Sequence, residues 1–323
     1  MQIRWPAVVI ALAAALPSAR AVADPVKIGV MTPGPTSAVT AMGNGIAAAL
    51  TARGLVRDRD FAIDIRAAEG KEERLPALAR ELVADHVAVI VVGSYPATRA
   101  AKDASTTTPV VSLNAGEPDE TGIAASLAHP GGNVTGLSDL SSELSAKRLD
   151  LLRLAVPGMK KVAMLWNADD LGMTGRYNAA SAAAKAMGIM VEALGVREPD
   201  DFGASFRTMD KDKPDGILMV TDILTILNRK RVIDYAAANK IPAIYEFDNF
   251  ARDGGLMSYG PDGKELLSRV ADLVVRILKG AKPADLPFEQ PTLFQFVINQ
   301  KTADAIGLKL PPALLARADE VID

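Results

Sequence analysis

The sequence predicts an α/β protein made of two lobes, each with a largely parallel sheet covered by helices. Short β-rich runs alternate with helical patterns along the chain, which is the order that produces parallel sheets. The runs form two series of similar length, and a chain of 323 residues exceeds what one hydrophobic core usually covers. Two Rossmann-like lobes are therefore the predicted architecture.

The first series contains four apolar runs that predict strands buried on both faces. Helical spacing of apolar residues lies between them, for example at Leu75, Leu78 and Leu82 within a helix predicted over 72–85. A second helix is predicted around Met42 and Ile46, ending near Gly54. The predicted strands cover residues 26–31, 62–65, 87–92 and 110–113.

The second series continues the alternation to the end of the chain. An apolar stripe from Leu266 to Ile277 predicts a long helix that Gly280 ends. Prolines at 283, 287 and 291 mark a link into a last strand and a short helix from Thr302. The predicted strands cover residues 162–166, 189–194, 216–220, 243–245, 256–258 and 294–298.

The chain is expected to cross between the lobes three times. We place two of the crossings at the Gly131-Gly132 segment and the proline-rich link. The first lobe then takes residues 24–137 and 262–290, and the second takes 138–261 and 291–323. Ligand contacts are expected in the crevice at the carboxyl ends of the strands.

The first 23 residues have the pattern of a cleavable export signal. Arg4 supplies the positive start, residues 6–16 form a short apolar run, and Ala21-Val22-Ala23 fits a cleavage site before Asp24. The alternative is an uncleaved signal that anchors the chain. The sequence has no cysteine, so neither a disulfide nor a lipid on a cysteine is available. We expect an exported resident of a bacterial periplasm that is not a lipoprotein.

The charge of the chain argues against nucleic acid as a partner. Without Arg4 and Arg20, 34 basic residues remain against 39 acidic ones, and they form no basic block. Phosphate binding relies on a concentrated basic surface.

Polar residues at the strand ends of the first lobe are candidate ligand contacts. Helix starts with hydroxyls nearby attract carboxylates, and Pro96 is well placed to open a helix. The alternative is that Ser94 and Thr36 only cap their helices. The candidates are Thr36, Ser37, Ser94, Tyr95, Thr98, Asn114 and Glu117.

Strand ends of the second lobe add acidic and aromatic candidates. A carboxylate such as Asp222 or Glu246 could meet an ammonium while the first lobe holds an anion, which suits a zwitterion such as an amino acid. Each acidic residue has a cap or turn role as its alternative. The candidates are Asn167, Asp222, Tyr245, Glu246 and Tyr259, with Trp166 as a further aromatic wall or a core residue.

The same loops lack the motifs of an enzyme or a metal site. Ser94 has no G-x-S-x-G elbow, and the two histidines, His86 and His129, form no H-x-x-x-H pair. We therefore expect no catalytic residue, metal or cofactor.

Several segments of the sequence resemble an ABC transporter substrate-binding family that includes the tryptophan- and tyrosine-binding proteins. The resemblance covers essentially the whole mature chain. It rests on PGGNVTG at 130–136 with Ser138-Asp139, AKRL at 146–149, LPALA at 75–79, IPAIY at 241–245, GGLMSYG at 254–260, KPADLP at 282–287 and VIN at 297–299.

The resemblance implies a type I periplasmic binding fold that closes on one small molecule and delivers it to a membrane permease and its ATPase. In the aromatic amino-acid binders, a Gly-Thr-Pro stretch, an Asp-Pro pair and a Thr-Asp pair contribute to the cleft. The similar positions here are GSYP at 93–96, Glu117-Pro118 and Thr221-Asp222, so Tyr95 and Glu117 depart from the pattern.

Three functions remain at this point. The first is a monomeric periplasmic receptor of an ABC importer for an amino acid or related zwitterion, including aromatic ones. The second is a sensory receptor of the same fold that passes its closed state to a signalling partner. The third is a secreted hydrolase that uses acidic residues of the cleft.

Overall fold

A computed structural model describes residues 24–138 and 141–323, with the side chains of residues 141 and 142 left out. The predicted export signal, residues 1–23, and Asp139 of the family-like segment lie outside the described residues. Within the described part, the chain forms two α/β lobes, and the predicted fold class is confirmed.

The first lobe is built on a five-stranded sheet, within the described residues, in the order β2-β1-β3-β4-β5. All of its strand pairs are parallel. Its strands are β1 (Val26–Thr32), β2 (Phe61–Ala67), β3 (Val89–Val92), β4 (Val110–Ser112) and β5 (Val134–Gly136). Its helices are α1 (Thr36–Thr51), a 3-10 turn (Glu72–Arg74), α2 (Leu75–Ala84) and α3 (Tyr95–Ala104).

The second lobe contains a seven-stranded sheet, again counting described residues, in the order β12-β11-β10-β9-β8-β6-β7. Only the β10 and β11 pair among these runs antiparallel. Its strands are β6 (Lys161–Asn167), β7 (Met190–Val196), β8 (Gly216–Met219), β9 (Ala243–Tyr245), β10 (Met257–Pro261), β11 (Phe294–Asn299) and β12 (Glu320–Ile322).

Helices cover both sheets, and one of them returns to the first lobe. The helix α10 (Gly263–Leu278) follows β10 in sequence, yet its apolar stripe packs with Ile28 and Val30 of β1 in the first-lobe core. The other helices are α4 (Ser141–Ala155), α5 (Leu171–Ala186), α6 (Asp201–Lys211), α7 (Ile223–Leu227), α8 (Arg229–Ala238), α9 (Asp248–Arg252), α11 (Gln300–Ile306) and α12 (Pro312–Leu315), with a 3-10 turn at Pro283–Asp285.

The described strands lie close to the predicted ones because long apolar runs mark buried strands reliably. Two strands of three residues each, β5 and β12, were not predicted. The Gly131-Gly132 segment precedes β5, which still pairs with β4, so our placement of a crossing there was wrong. The first crossing follows Gly136 instead.

Glycine is required at position 136, where β5 approaches β4. Its φ of 151° is rarely adopted by other residues, and a methyl group placed on it would lie 2.2 Å from the carbonyl oxygen of Ser112. The chain therefore leaves the first sheet at a position that only glycine fits. The lobe boundaries themselves stay predictions.

Candidate functional site

The strand ends of the two lobes face each other across a central cavity of about 30 Å³. This is the crevice at the carboxyl ends of parallel strands where such folds bind ligands. The first lobe lines it with Pro33, Glu72, Ser94, Tyr95, Asn114 and Gly116, and the second with Asp170, Met173, Arg176, Thr221, Asp222 and Ile223.

Two larger cavities flank the central one and share walls with it. One of about 480 Å³ shares Glu72, Tyr95 and Asp170. The other, of about 520 Å³, shares Asn114, Thr221 and Asp222. We call them the Glu72 cavity and the Phe247 cavity, since Phe247 lines the second.

The lobes touch around these cavities. A methyl group placed on Gly34 would lie 3.2 Å from Cδ1 of Ile223, and one on Gly70 would lie 3.2 Å from Cδ1 of Leu227. Ile223 and Leu227 come from the second lobe, whereas both glycines follow first-lobe strands. The cleft is therefore closed, and small residues permit the close approach.

Asp222 lines the cavity and also begins α7. Its Oδ1 accepts a hydrogen bond from the Thr225 backbone N–H at 2.9 Å, and its own backbone N–H donates to the Thr225 hydroxyl at 2.8 Å, which together form a capping box. Asn167 donates from Nδ2 to its Oδ2 at 2.6 Å. Asp222 therefore does cap a helix, as the alternative interpretation of the sequence held. Asn167 lies behind Asp222 and fixes its carboxylate.

Ser94 begins α3, and its hydroxyl accepts a hydrogen bond from the Ala97 N–H at 3.3 Å. Its φ of 147° is unusual for a residue other than glycine. Thr98 lies one turn further, buried, and donates to the Ser94 carbonyl at 2.7 Å. Ser94 thus both caps the helix and lines the cavity, whereas Thr98 supports it from behind.

Two polar atoms at the cavity are buried without a hydrogen-bond partner among the described residues: Oγ1 of Thr221 and Oδ1 of Asn114. Thr221 is 5% exposed. A buried polar atom without a partner costs about 1–3 kcal/mol, and such atoms are rare in native proteins. Both residues line the central and Phe247 cavities, so a ligand there can satisfy them.

Three carboxylates converge on the central cavity. Burial, and then the charges of Asp170 and Asp222, raise the pKa of Glu72 to about 7. Burial, followed by the charge of Asp222, also raises the pKa of Asp170. Negative charge is thus concentrated where the lobes meet.

Glu246 does not project into the cleft, so our prediction that it could meet a ligand ammonium was wrong. It is 2% exposed and accepts hydrogen bonds from Arg148 at 3.0 Å and Arg176 at 3.1 Å. Burial raises the pKa of Glu246, but the two arginines more than offset this and the net shift is downward. A buried carboxylate held by two guanidiniums is a structural group.

Two aromatic candidates lie outside the walls of the three cavities. Tyr245 is fully buried and stacks on Phe250 with ring centroids 5.2 Å apart. Tyr259 packs beside Phe294 and Phe296 at the edge of the second-lobe core. Strand residues alternate in direction, and the apolar run alone did not show which face these rings take.

Trp166 stacks on Tyr177, with centroids 3.8 Å apart, and is 9% exposed, so it is a core residue rather than a wall. Tyr95, in contrast, lines both the central and the Glu72 cavities.

The remaining candidates lie near the rim. Ser37 lines the Phe247 cavity. Thr36 is exposed and binds Glu69 through its hydroxyl at 2.5 Å, outside the three cavity walls. Glu117 follows Gly116 of the central cavity without lining it, and its carbonyl accepts a hydrogen bond from the Thr121 N–H.

Sequence reasoning missed Glu72 and Arg176. Arg176 lies in the first half of the alanine-rich helix α5 and is 2% exposed. Its guanidinium donates to Glu246, and the residue lines the central cavity. An isolated arginine on a buried helix face could have indicated that Arg176 has a role at the site. Glu72 had no such signal, because it sits in a charged turn that resembles an ordinary solvated surface.

A comparison with known protein families shows which family this chain belongs to. The family described as "ABC transporter substrate binding protein" matches residues 27–322. The chain belongs to this family.

The chain is also similar to individual proteins, two of which are described with a ligand. A tyrosine-binding protein of Clostridioides difficile (strain R20291) is 26% identical over 265 residues, which is 82% of this chain and 76% of that protein. The crystal structure of an ABC domain from Streptococcus pneumoniae in complex with L-Trp is 26% identical, with a TM-score of 0.85, and the match covers 92% of this chain and 100% of the other. The crystal structure of a conserved domain protein from Vibrio cholerae is 25% identical, with a TM-score of 0.86, and the match covers 92% of this chain and 99% of that chain.

Membership of this family makes the protein a small-molecule binding protein of an ABC transporter, not an enzyme. The hydrolase alternative is thereby set aside. The part of the chain that the structure describes contains no cluster of three or more His, Cys, Asp or Glu residues that could hold a metal ion. Among the same residues, none of the helices has the length and apolarity needed to cross a bilayer.

Proposed function

We propose that this substrate-binding protein captures an amino acid with a large apolar side chain, including aromatic ones, in the bacterial periplasm for an ABC importer. The observation that carries the proposal is the central cavity, where Asp222 and Asp170 stand beside the buried, unsatisfied hydroxyl of Thr221. An ammonium group donates three hydrogen bonds and matches such a set of acceptors.

The positive groups of the same cavity suit the ligand carboxylate. The amino-terminal end of α3, a helix of 10 residues, meets the cavity at Ser94 and Tyr95. Helix amino termini favour anions because their N–H groups and dipole point outward. Arg176 of the second lobe lines the same cavity, with its guanidinium held by Glu246.

The Phe247 cavity suits an apolar side chain. At about 520 Å³ it is large enough for an aromatic ring, and its wall includes Met42, Leu113, Ile226 and Phe247. Relatives that bind tyrosine and L-Trp support the same ligand class.

Two further features support a periplasmic receptor. Residues 1–23 have the pattern of a cleavable signal, and the absence of cysteine leaves no lipid attachment site. Closure on the ligand then supplies the shape that the permease and ATPase subunits recognise. The protein would act as a monomer, one ligand to each chain.

The test is a thermal-shift and calorimetry panel of the common amino acids on the wild type and on Asp222→Asn. The wild type should bind at least one large apolar amino acid. The variant keeps an oxygen that can cap α7 but loses the charge, so its affinity should fall about tenfold to a hundredfold, the value of a hydrogen bond to a charged group.

The matched control is Asp215→Asn, since Asp215 accepts two backbone hydrogen bonds on the surface far from the cleft. It should bind as the wild type does. A panel without any shift, or equal losses in both variants, would overturn the proposal.

A further inference from the structure

Glu72 brings a carboxylate of the first lobe to the carboxylates of the second. It belongs to the 3-10 turn Glu72–Arg74, is half-buried, and lines both the central cavity and the Glu72 cavity. Asp170 and Asp222 line the same central cavity from the opposite lobe. Because these carboxylates come from different lobes, closing of the lobes is what brings the like charges to one cavity.

The charged and titratable groups that share a cavity wall with Glu72 or neighbour it in its own lobe are Glu73, Arg80, Tyr95, Arg99 and Asp103, with Lys71 and Arg74 on its own turn. Arg74 donates to the Ala68 carbonyl at 3.3 Å. Arg99 is paired with Asp103 at 2.7 Å, and Arg80 is exposed. Neither arginine is therefore committed to Glu72.

The groups that face Glu72 from the second lobe are Asp169, Asp170, Arg176 and Asp222. Arg176 is engaged by both oxygens of Glu246, and Asp169 pairs with Arg197 at 3.1 Å on the surface. The balance at the meeting point of the lobes is negative. A cavity that concentrates one sign of charge attracts the opposite one.

We propose that Glu72 is an electrostatic gate on lobe closure, which opposes closing of the empty protein until a cationic group or a proton offsets the three carboxylates. The proposal rests on the binding function above and adds a specificity-determining residue to it. The ammonium of an amino acid supplies the offset at neutral pH. An acid without the amino group leaves the repulsion in place.

The titration of Glu72 defines the pH range over which lobe closure depends on protonation. Burial and the neighbouring carboxylates raise the pKa of Glu72 from 4.5 to about 7 in the closed form. The closed form therefore binds a proton more tightly than the open form, where Glu72 is separated from the second lobe. Proton-linked closure is complete below pH 4.5 and is lost as the pH rises through about 7.

The experiment measures closure without any ligand, so that it is independent of ligand identity. The chain has no cysteine, so Thr40→Cys on α1 and Lys230→Cys on α8 allow specific spin labelling of the two lobes. Double electron–electron resonance then gives the closed-to-open ratio. Between pH 8 and pH 5.5 this ratio should rise on the order of tenfold to thirtyfold.

In Glu72→Gln the ratio at pH 8 should already be higher than in the wild type, and it should change less than about threefold with pH. The matched control is Glu73→Gln, an exposed carboxylate on the same turn that raises the pKa of Glu72 less than burial, Asp170 and Asp222 do, so most of the wild-type pH response should remain. A pH response that survives in Glu72→Gln, or disappears equally in Glu73→Gln, overturns the gate. Neither result affects the amino-acid panel, which tests the binding function separately.

Discussion

At the scale of single residues, the most informative atom is the hydroxyl of Thr221. The backbone of Thr221 is held on both sides, because its carbonyl faces Arg176 at 3.5 Å and its N–H faces the Glu246 carboxylate. The side chain is thus positioned rigidly, yet Oγ1 has no protein partner among the described residues. The buried network of Arg148, Glu246 and Arg176 therefore holds Thr221 in place. Glu246 itself does not contact the ligand.

Thr221→Val tests this interpretation. Valine has the shape of threonine without the hydroxyl, so the free energy of unfolding of the empty protein should stay within about 1 kcal/mol of the wild type, because no internal hydrogen bond is lost. Ligand affinity should fall about tenfold. Urea denaturation and calorimetry measure the two quantities.

Thr135→Val is the control for a buried threonine that does have a partner, since its hydroxyl donates to the Leu286 carbonyl at 2.8 Å. That variant should lose stability by about 1–2 kcal/mol and keep its affinity. Unchanged affinity in Thr221→Val would remove the hydroxyl from the site.

At the scale of elements, the segments between the lobes are tied to one another. Backbone hydrogen bonds join Ser138 to Glu289 and Asp262 to Leu293, each at 2.9 Å. Glu265 near the start of α10 accepts from the Thr292 hydroxyl at 2.5 Å and pairs with Arg269 at 2.8 Å. Burial raises the pKa of Glu265, but these donors dominate and lower it to about 2.

Glu265→Gln should therefore destabilise the protein in a pH-dependent way. The carboxylate contributes stability above its ordinary pKa of 4.5, and the contribution is lost as the pH falls through about 2. At pH 6 the variant should be less stable by on the order of 2–3 kcal/mol, and the difference should shrink toward pH 2.

Glu81→Gln is the control, because Glu81 forms a surface ion pair with Arg66 and its side chain is 56% exposed. Exposed pairs contribute about 1 kcal/mol or less. Urea denaturation at several pH values measures both variants. Equal effects of the two substitutions would contradict the role assigned to Glu265.

At the scale of the whole molecule, the proposed function depends on a change between open and closed lobes. The proposed ligand contacts come from both lobes, so binding should favour the closed form. A saturating amino acid should reduce the radius of gyration in solution scattering at pH 8, and a hundredfold excess over the dissociation constant should stabilise the protein by about 2.7 kcal/mol. A radius that stays constant while ligand binds would contradict closure.

The sequence predicted the framework from local signals. Long apolar runs such as β1 and β6 and the stripe of α10 were recognisable, because burial on both faces of a sheet demands continuous apolar residues. The three-residue strands β5 and β12 were too short to leave such a pattern. Ser94, Asn114 and Asp222 were found because polar residues directly after buried strands collect at one edge of a sheet.

The sequence by itself determined the α/β class, the alternation of strands and helices, and the strand-end positions among which the site had to lie, since these follow from periodicity and chain order. Only the tertiary structure decided which of those side chains face the cleft. Tyr245 ends a strand and Glu246 follows it, much as Thr221 and Asp222 follow theirs, yet Tyr245 and Glu246 turn into the core. The reason is that burial and charge environment are set by residues distant in the chain. Arg148 and Arg176 pair with Glu246, whereas Asp170 and Asp222 oppose the charge of Glu72.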